Sequence, residues 1–368
     1  MRSSACTPTP GRRPNVSQTV PFDPDGAAAS DGIYGLPHTP EEAHVVVLPV
    51  PWEATVSYGA GTADGPAAIL AASRQVDLYD RETGKPYLSG IAMLPIPTEV
   101  RGWSDEARAL AAPVIEAGGL DAVAKDDPRR FDLERRVEGV NALGARMNGW
   151  VEQETERQLA AGKRVALIGG DHASPYGAIA ATARRHPGMG ILHLDAHCDL
   201  RDAYEGFLWS HASIFRNVME TIPEVGKLVQ IGIRDYGERE VAYLEKSQGR
   251  IHAYFEADLR RRLHEGETWM AILESVIGHL PREVYLSFDI DGLDPVLCPH
   301  TGTPVPGGLS FAEMNTLLRR VVASGRRIVG LDLCEVAPDP SGASDWDGNV
   351  AARVLYKMIG YLLKSEGR

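Results

Sequence analysis

From His44 onward the chain alternates short apolar runs with longer amphipathic stretches. The runs HVVVLPV (44–50), VALIGG (165–170), GILHLDA (190–196), LVQIGIR (228–234), IHAYF (251–255), VYLSFDI (284–290) and RIVGLDL (327–333) are rich in β-branched residues. Most are continuous rather than alternating, the pattern of strands covered on both faces. Between them the spacing predicts helices over 107–118, 139–162, 174–186, 241–248, 268–280, 310–325 and 349–364. This alternation predicts an α/β fold with a parallel sheet and right-handed crossovers. No internal repeat and no second domain boundary is visible, so residues 41–368 read as one domain. Residues 1–40 are rich in Pro, Ser, Thr, Gly and Ala without periodicity, which predicts a flexible arm. The charged stretch AKDDPRRFDLERR (124–136) reads as a surface excursion or solvated helix without chemistry.

Composition narrows the function. A chain of 368 residues, 43% hydrophobic and 24% charged, suits a soluble globular protein. Its net charge of −12 lacks the basic surface that a nucleic-acid partner requires, and it suits a small cationic substrate. Cys6, Cys198, Cys298 and Cys334 form no CxxC pair and no disulfide framework, which points to a reducing compartment. The N-terminal stretch has no apolar run of signal-peptide length, and no run of about 18 apolar residues occurs. The expectation is a cytoplasmic protein without a membrane partner.

Three motifs follow predicted strands, where parallel α/β sheets bind ligands. Gly169-Gly170-Asp171-His172 directly follows VALI (165–168), and by itself reads as a tight turn. In Asp195-Ala196-His197-Cys198-Asp199, residues i, i+2 and i+4 share a face if the segment is extended, so two carboxylates and an imidazole converge. Neighbouring buried carboxylates are costly without a cation. Asp289 and Asp291, two apart in SFDIDGLDP (287–295), repeat the logic, while Asp294-Pro295 shapes the next loop. The set His172, Asp195, His197, Asp199, Asp289 and Asp291 suits two divalent ions. Oxygen donors with some nitrogen favour Mn²⁺, with Ni²⁺, Co²⁺ or Zn²⁺ also possible. Two ions about 3.5–4 Å apart can activate a shared water.

Taken together, GGDH, DAHCD, SFDIDGLDP and the later GTPVPGGLS (302–310) resemble the arginase/agmatinase (ureohydrolase) family over roughly residues 44–365. The resemblance implies a three-layer α/β/α domain with a mostly parallel eight-stranded sheet, assembled as a trimer or hexamer. It implies hydrolysis of a guanidino compound to urea and an amine, with two Mn²⁺ ions or, in some relatives, nickel. The six residues above match the family's ligands. His211 matches its proton-transferring histidine, Glu335 its guanidinium-binding carboxylate, and Asp199 serves as both ligand and acceptor from the nucleophile.

Several positions depart from the family pattern. Arg201 stands where arginases commonly carry Asn, which weakens an arginase reading and favours an acidic substrate if the side chain points inward. The His211 motif reads SHAS, and Cys198 replaces the common Ala or Thr. Trp52, Tyr204 and Trp209 either wall a small pocket by cation–π contact or simply pack. The leading reading is an agmatinase-like amidinohydrolase. The alternatives are a guanidine or short alkylguanidine hydrolase, a guanidino-acid hydrolase or an arginase. From other classes come a single-zinc deacetylase-like enzyme and a catalytically silent homologue.

Overall fold

The computed structural model describes residues 22–28 and 30–368. Eight strands form one sheet: β1 (Val45–Val50), β2 (Ile91–Met93), β3 (Arg164–Gly169), β4 (Met189–Leu194), β5 (Val225–Ile233), β6 (Ile251–Phe255), β7 (Glu283–Asp289) and β8 (Arg327–Cys334). Their order is β2-β1-β3-β8-β7-β4-β5-β6, and every strand pair is parallel. The seven runs predicted as strands all become strands. The short edge strand β2 had too little apolar sequence to announce itself.

Ten α-helices cover the sheet among the described residues: α1 (Gly65–Ser73), α2 (Thr98–Glu116), α3 (Arg130–Ala160), α4 (Tyr176–Arg185), α5 (Ile214–Thr221), α6 (Glu238–Lys246), α7 (Glu256–His264), α8 (Trp269–Gly278), α9 (Phe311–Ala323) and α10 (Trp346–Ser365). The strands explain the three layers, because alternate residues leave opposite faces. Ala166 and Ile168 of β3, Leu192 and Leu194 of β4, and Leu286 and Phe288 of β7 share a core with α1, α8, α9 and α10. Val165 and Leu167 face the other way, against α3 and α4. Ile191 and Tyr285 do the same against α4 and α5.

Two expectations shift. Of the arm drawn over residues 1–40, residues 1–21 and 29 lie outside the described residues. Ile33, Tyr34 and Leu36 are buried in the main core, with Tyr34 Oη donating to the Ala352 carbonyl at 3.1 Å, so the packed body begins before residue 41. The charged stretch 124–136 is not all surface excursion, since its second half opens the 31-residue helix α3. Buried Leu133 and Val137 give that first turn its inward stripe.

The topology places the motifs. Strands β3, β8, β7 and β4 are neighbours although they are far apart in sequence. Their carboxyl ends lead to His172, Glu335, Asp289 and Asp195 respectively, at the switch in strand order.

Candidate metal centre

His172 is fully buried, and its Nδ1 lies 3.2, 3.4 and 3.3 Å from carboxylate oxygens of Asp195, Asp199 and Asp289. His197 is partly open, and its Nδ1 lies 3.4 Å from Asp195 Oδ1 and 3.1 Å from Asp291 Oδ2. Asp195 is therefore shared: Oδ2 faces His172 and Oδ1 faces His197. Backbone donors aim three of the four carboxylates, the His197 N–H donating to Asp195 Oδ1. Asp289 Oδ1 accepts from the Asp291 N–H at 2.8 Å, and Asp291 Oδ1 accepts from the Ala196 N–H at 3.0 Å, leaving each Oδ2 inward.

The donor set fits cations. Donors bound to one ion at about 2.0–2.2 Å stand roughly 3.0–3.5 Å apart, the separations found here. The side chains by themselves are short of positive charge. Burial and then the Asp195 charge push Asp199 up to about 7. Burial and then Asp291 raise Asp289 well above the usual carboxylate range. Burial disfavours a charged His172, but Asp195, Asp199 and Asp289 outweigh it and raise that imidazole. His197 is raised likewise, with Asp291 and Asp195 overcoming burial. Burial and then neighbouring acids raise the Cys198 and Cys334 thiols, disfavouring a thiolate at either.

Asp199 and Glu335 both sit at positive φ, 53° and 64°. For residues with a Cβ this costs about 1–3 kcal/mol, and such strain concentrates at functional sites. The Glu335 N–H donates to the Gly170 carbonyl at 2.7 Å, and its Oε1 accepts from the His172 N–H at 2.8 Å. Burial, then the charge of Asp171, pushes Glu335 well up from its ordinary value. Loop residue Gly302 passes close, and a Cβ there would stand 3.0 Å from Glu335 Oε2.

His211 opens a short turn capped by Ser210. Its Nδ1 lies 3.3 Å from Thr55 Oγ1, and that hydroxyl donates to Ser210 Oγ at 3.0 Å. Asp171 ties the Thr55 loop to the end of β3 by accepting from the Ala54 N–H at 3.2 Å and the Ala173 N–H at 3.1 Å. Burial, then the nearby His197 and His172 rings, lowers His211 to about 3, so it is neutral near pH 7. A cavity of about 150 Å³ joins His197, Asp199 and His211 to Arg201, Tyr204 and Asp235.

Of the expected pocket residues, Trp209 does not line this cavity. Its ring packs on Tyr176, 4.9 Å between centroids, and against Gly144 of α3. Trp52 is completely buried, so of the three aromatics only Tyr204 forms a wall. Arg201 reaches the wall but is tied back, with Nε 3.8 Å from Glu240 and its guanidinium 5.2 Å from the Tyr204 ring centroid. Sequence reasoning passed over His193, whose Nε2 lies 2.8 Å from Asp195 Oδ2. The i, i+2 phase that selected Asp195, His197 and Asp199 already includes it. Ser287, two places before Asp289, shares that phase as well, whereas Asp332 carried no such signal; they lie within 3.0 and 3.6 Å of His172 Nε2.

This parallel three-layer α/β fold, with two His/Asp donor groups sharing one carboxylate at its strand ends, fits the class of binuclear-metal hydrolases. Residues 43–360 match the arginase family, and the chain belongs to that family as a ureohydrolase, a hydrolase of C–N bonds in linear amidines. It is 34% identical to an N(1)-aminopropylagmatine ureohydrolase of Thermus thermophilus, covering 89% of this chain and 94% of that one. It is 31% identical to the proclavaminate amidinohydrolase of Streptomyces clavuligerus, covering 88% and 91%. The crystal structure of an agmatine ureohydrolase of Thermoplasma volcanium shares the fold, with TM-score 0.67, 23% identity and coverage of 92% and 96%. Family membership sets aside the deacetylase-like reading.

Proposed function

We propose that this ureohydrolase is agmatinase-like, cleaving a guanidino compound with a short cationic tail to urea and the corresponding amine. Two Mn²⁺ ions per chain would be held by His172, Asp195, Asp199 and Asp289 on one side and by Asp195, His197 and Asp291 on the other, with Ni²⁺ as the alternative metal. The single observation carrying the substrate reading is the charge of the cavity wall. Asp235 lines it without an ion pair among the described residues, whereas Arg201 faces Glu240. A tail ammonium thus meets an available carboxylate. The relative named for aminopropylagmatine supports the same choice.

When bound, the ions supply an activated water and stabilise developing negative charge. The remaining steps fall to side chains. Glu335 accepts paired N–H bonds from the planar guanidinium, orienting its carbon toward the Asp199 side of the cluster. As water adds at that carbon and the C–N bond breaks, the departing nitrogen needs a proton. His211, neutral at rest and held at Nδ1, takes one proton from the nucleophile side and passes it on. Asp199 accepts a hydrogen bond from the nucleophile.

The cavity's small volume, with Ser57 Oγ bonded to Tyr204 Oη at 2.9 Å, favours a second reading: free guanidine or a short alkylguanidine. Urea release decides, measured on agmatine, arginine, guanidinobutyrate, guanidinopropionate and guanidine, with Mn²⁺ and Ni²⁺ supplied separately. Agmatine is expected to turn over fastest. Guanidine leading would favour the second reading, an acid leading would reinstate Arg201 as a reader of carboxylate, and no urea from any of them would sink the proposal. The family resemblance also supports a cytoplasmic homo-oligomer, trimeric or hexameric, which light scattering of the purified protein tests. No helix among the described residues is long and apolar enough to cross a membrane.

A further inference from the structure

His193 and Gln230 are direct cross-strand partners in the β4–β5 register, and both are fully buried. The Gln230 Nε2 donates to the Cys198 carbonyl at 2.7 Å and lies 2.9 Å from His193 Nδ1. A carbonyl can only accept, so the amide nitrogen, not its oxygen, must face Cys198. The alternative rotamer would set two oxygens against each other. The observed one leaves Gln230 Oε1 buried without a partner, a cost that the orientation bears. That same nitrogen then donates to His193 Nδ1, which carries no proton. The ring proton is left on Nε2, 2.8 Å from Asp195 Oδ2. Phe215 packs 4.1 Å from the imidazole centroid and limits its rotation.

We propose that His193 is a positioning residue, locked in its Nε2–H tautomer by Gln230, that together with the His197 N–H on Oδ1 fixes the rotation of the shared carboxylate of Asp195. Its N–H occupies one lone-pair direction of Oδ2. The other then points at the His172 side, while Oδ1 points at His197. The chain closes on itself, because Cys198 lies between His197 and Asp199. The tautomer of a residue behind the cluster is thus set by the backbone of the ligand loop. The inference rests on Asp195 being a shared ligand.

The test uses Mn²⁺ alone, titrated into the chelator-treated full chain against a competing indicator. His193→Phe keeps a ring but removes the donor, and is expected to weaken Mn²⁺ binding by about 10–100-fold, the usual effect of losing an outer hydrogen bond to a ligand. His193→Gln places an amide N–H near the Nε2 position and should stay within about 3-fold of the parent. Selective ¹⁵N labelling of imidazoles, with His193→Gln identifying the signal, should show Nε2–H in the parent and tautomer exchange in Gln230→Leu. Unchanged Mn²⁺ affinity in His193→Phe, equal losses in both His193 variants, or an Nδ1–H tautomer in the parent overturns the proposal. If His193→Phe does not fold, the parent and Gln230→Leu spectra decide by themselves. A parent chain that binds no Mn²⁺ instead overturns the two-metal reading beneath it.

Discussion

Glu335 accepts the backbone N–H of His172 through Oε1 at 2.8 Å, joining the expected guanidinium carboxylate to the expected metal ligand by one hydrogen bond. The bond crosses from the end of β8 to the loop after β3, so carboxylate and cation site move as one body. Glu335→Gln keeps an acceptor for His172 but removes the charge that pairs with a guanidinium. The expected result is a fall in kcat/KM for urea release on the order of 10²-fold, the scale of a lost charge-assisted pair, with the Mn²⁺ count per chain unchanged. Full activity in this variant would remove Glu335 from the substrate site.

Asp195 is the one carboxylate with an oxygen toward each imidazole. Asp195→Asn should therefore disturb both ion positions. Metal analysis after gel filtration is expected to give fewer than two Mn²⁺ per chain, with affinity reduced beyond the roughly 100-fold limit of an outer-shell loss. Circular dichroism should keep its α/β signature, because the substitution is nearly isosteric and falls just past the end of β4. Two tightly bound ions in the variant would refute the shared-ligand role.

His211 is held through Thr55 and Ser210 rather than by any expected ligand. His211→Asn should lower kcat by about 10²–10⁴-fold, the range for a lost general acid–base, while metal content and KM change little. Steady-state kinetics beside metal analysis checks this, and a loss of metal matching the loss of rate would assign His211 a structural role instead.

Removing metal should make stability fall as pH rises. Asp199 has its pKa raised to about 7 without cations, so the folded chain holds a proton that the unfolded chain releases near pH 4. That contribution is present below about pH 4 and is lost as pH climbs toward 7. The raised His172 and His197 rings act in the same direction above about pH 6.5. Saturating Mn²⁺, which adds about 2.7 kcal/mol per ion at 100 times its Kd, offsets the loss. Melting curves at pH 5 and pH 8 with and without chelator should show a larger Mn²⁺ effect at pH 8. An equal or smaller effect there contradicts the assignment.

At the cavity mouth, Asp235→Asn should raise KM for agmatine on the order of 10-fold with kcat nearly unchanged, since only the tail contact is lost. Arg201→Ala should change it less than about 3-fold, because Arg201 is turned toward Glu240 and Tyr204. The reverse ranking, measured on agmatine and guanidinobutyrate, would assign the substrate tail to Arg201.

The sequence by itself determined seven of the eight strands, the parallel α/β class and the six candidate ligands. Continuous apolar runs and the two-residue period of extended chain are local properties, written directly into neighbouring residues. The same period held His193, two places before Asp195, but nothing local said that a fourth residue in phase would stand behind the carboxylate rather than beside it. Trp209 shows the opposite case: its position next to His211 suggests a pocket wall, yet its ring turns onto Tyr176 because α3 and α4 offer an apolar surface there. Only the tertiary structure set β8 between β3 and β7, and so put Glu335 on the His172 backbone. Strand order is fixed by crossovers and by burial on both sheet faces, which act between segments distant in the chain. It likewise decided that Arg201 leans on Glu240 while Asp235 faces the cavity, because a side chain's direction at a loop depends on partners that other elements bring.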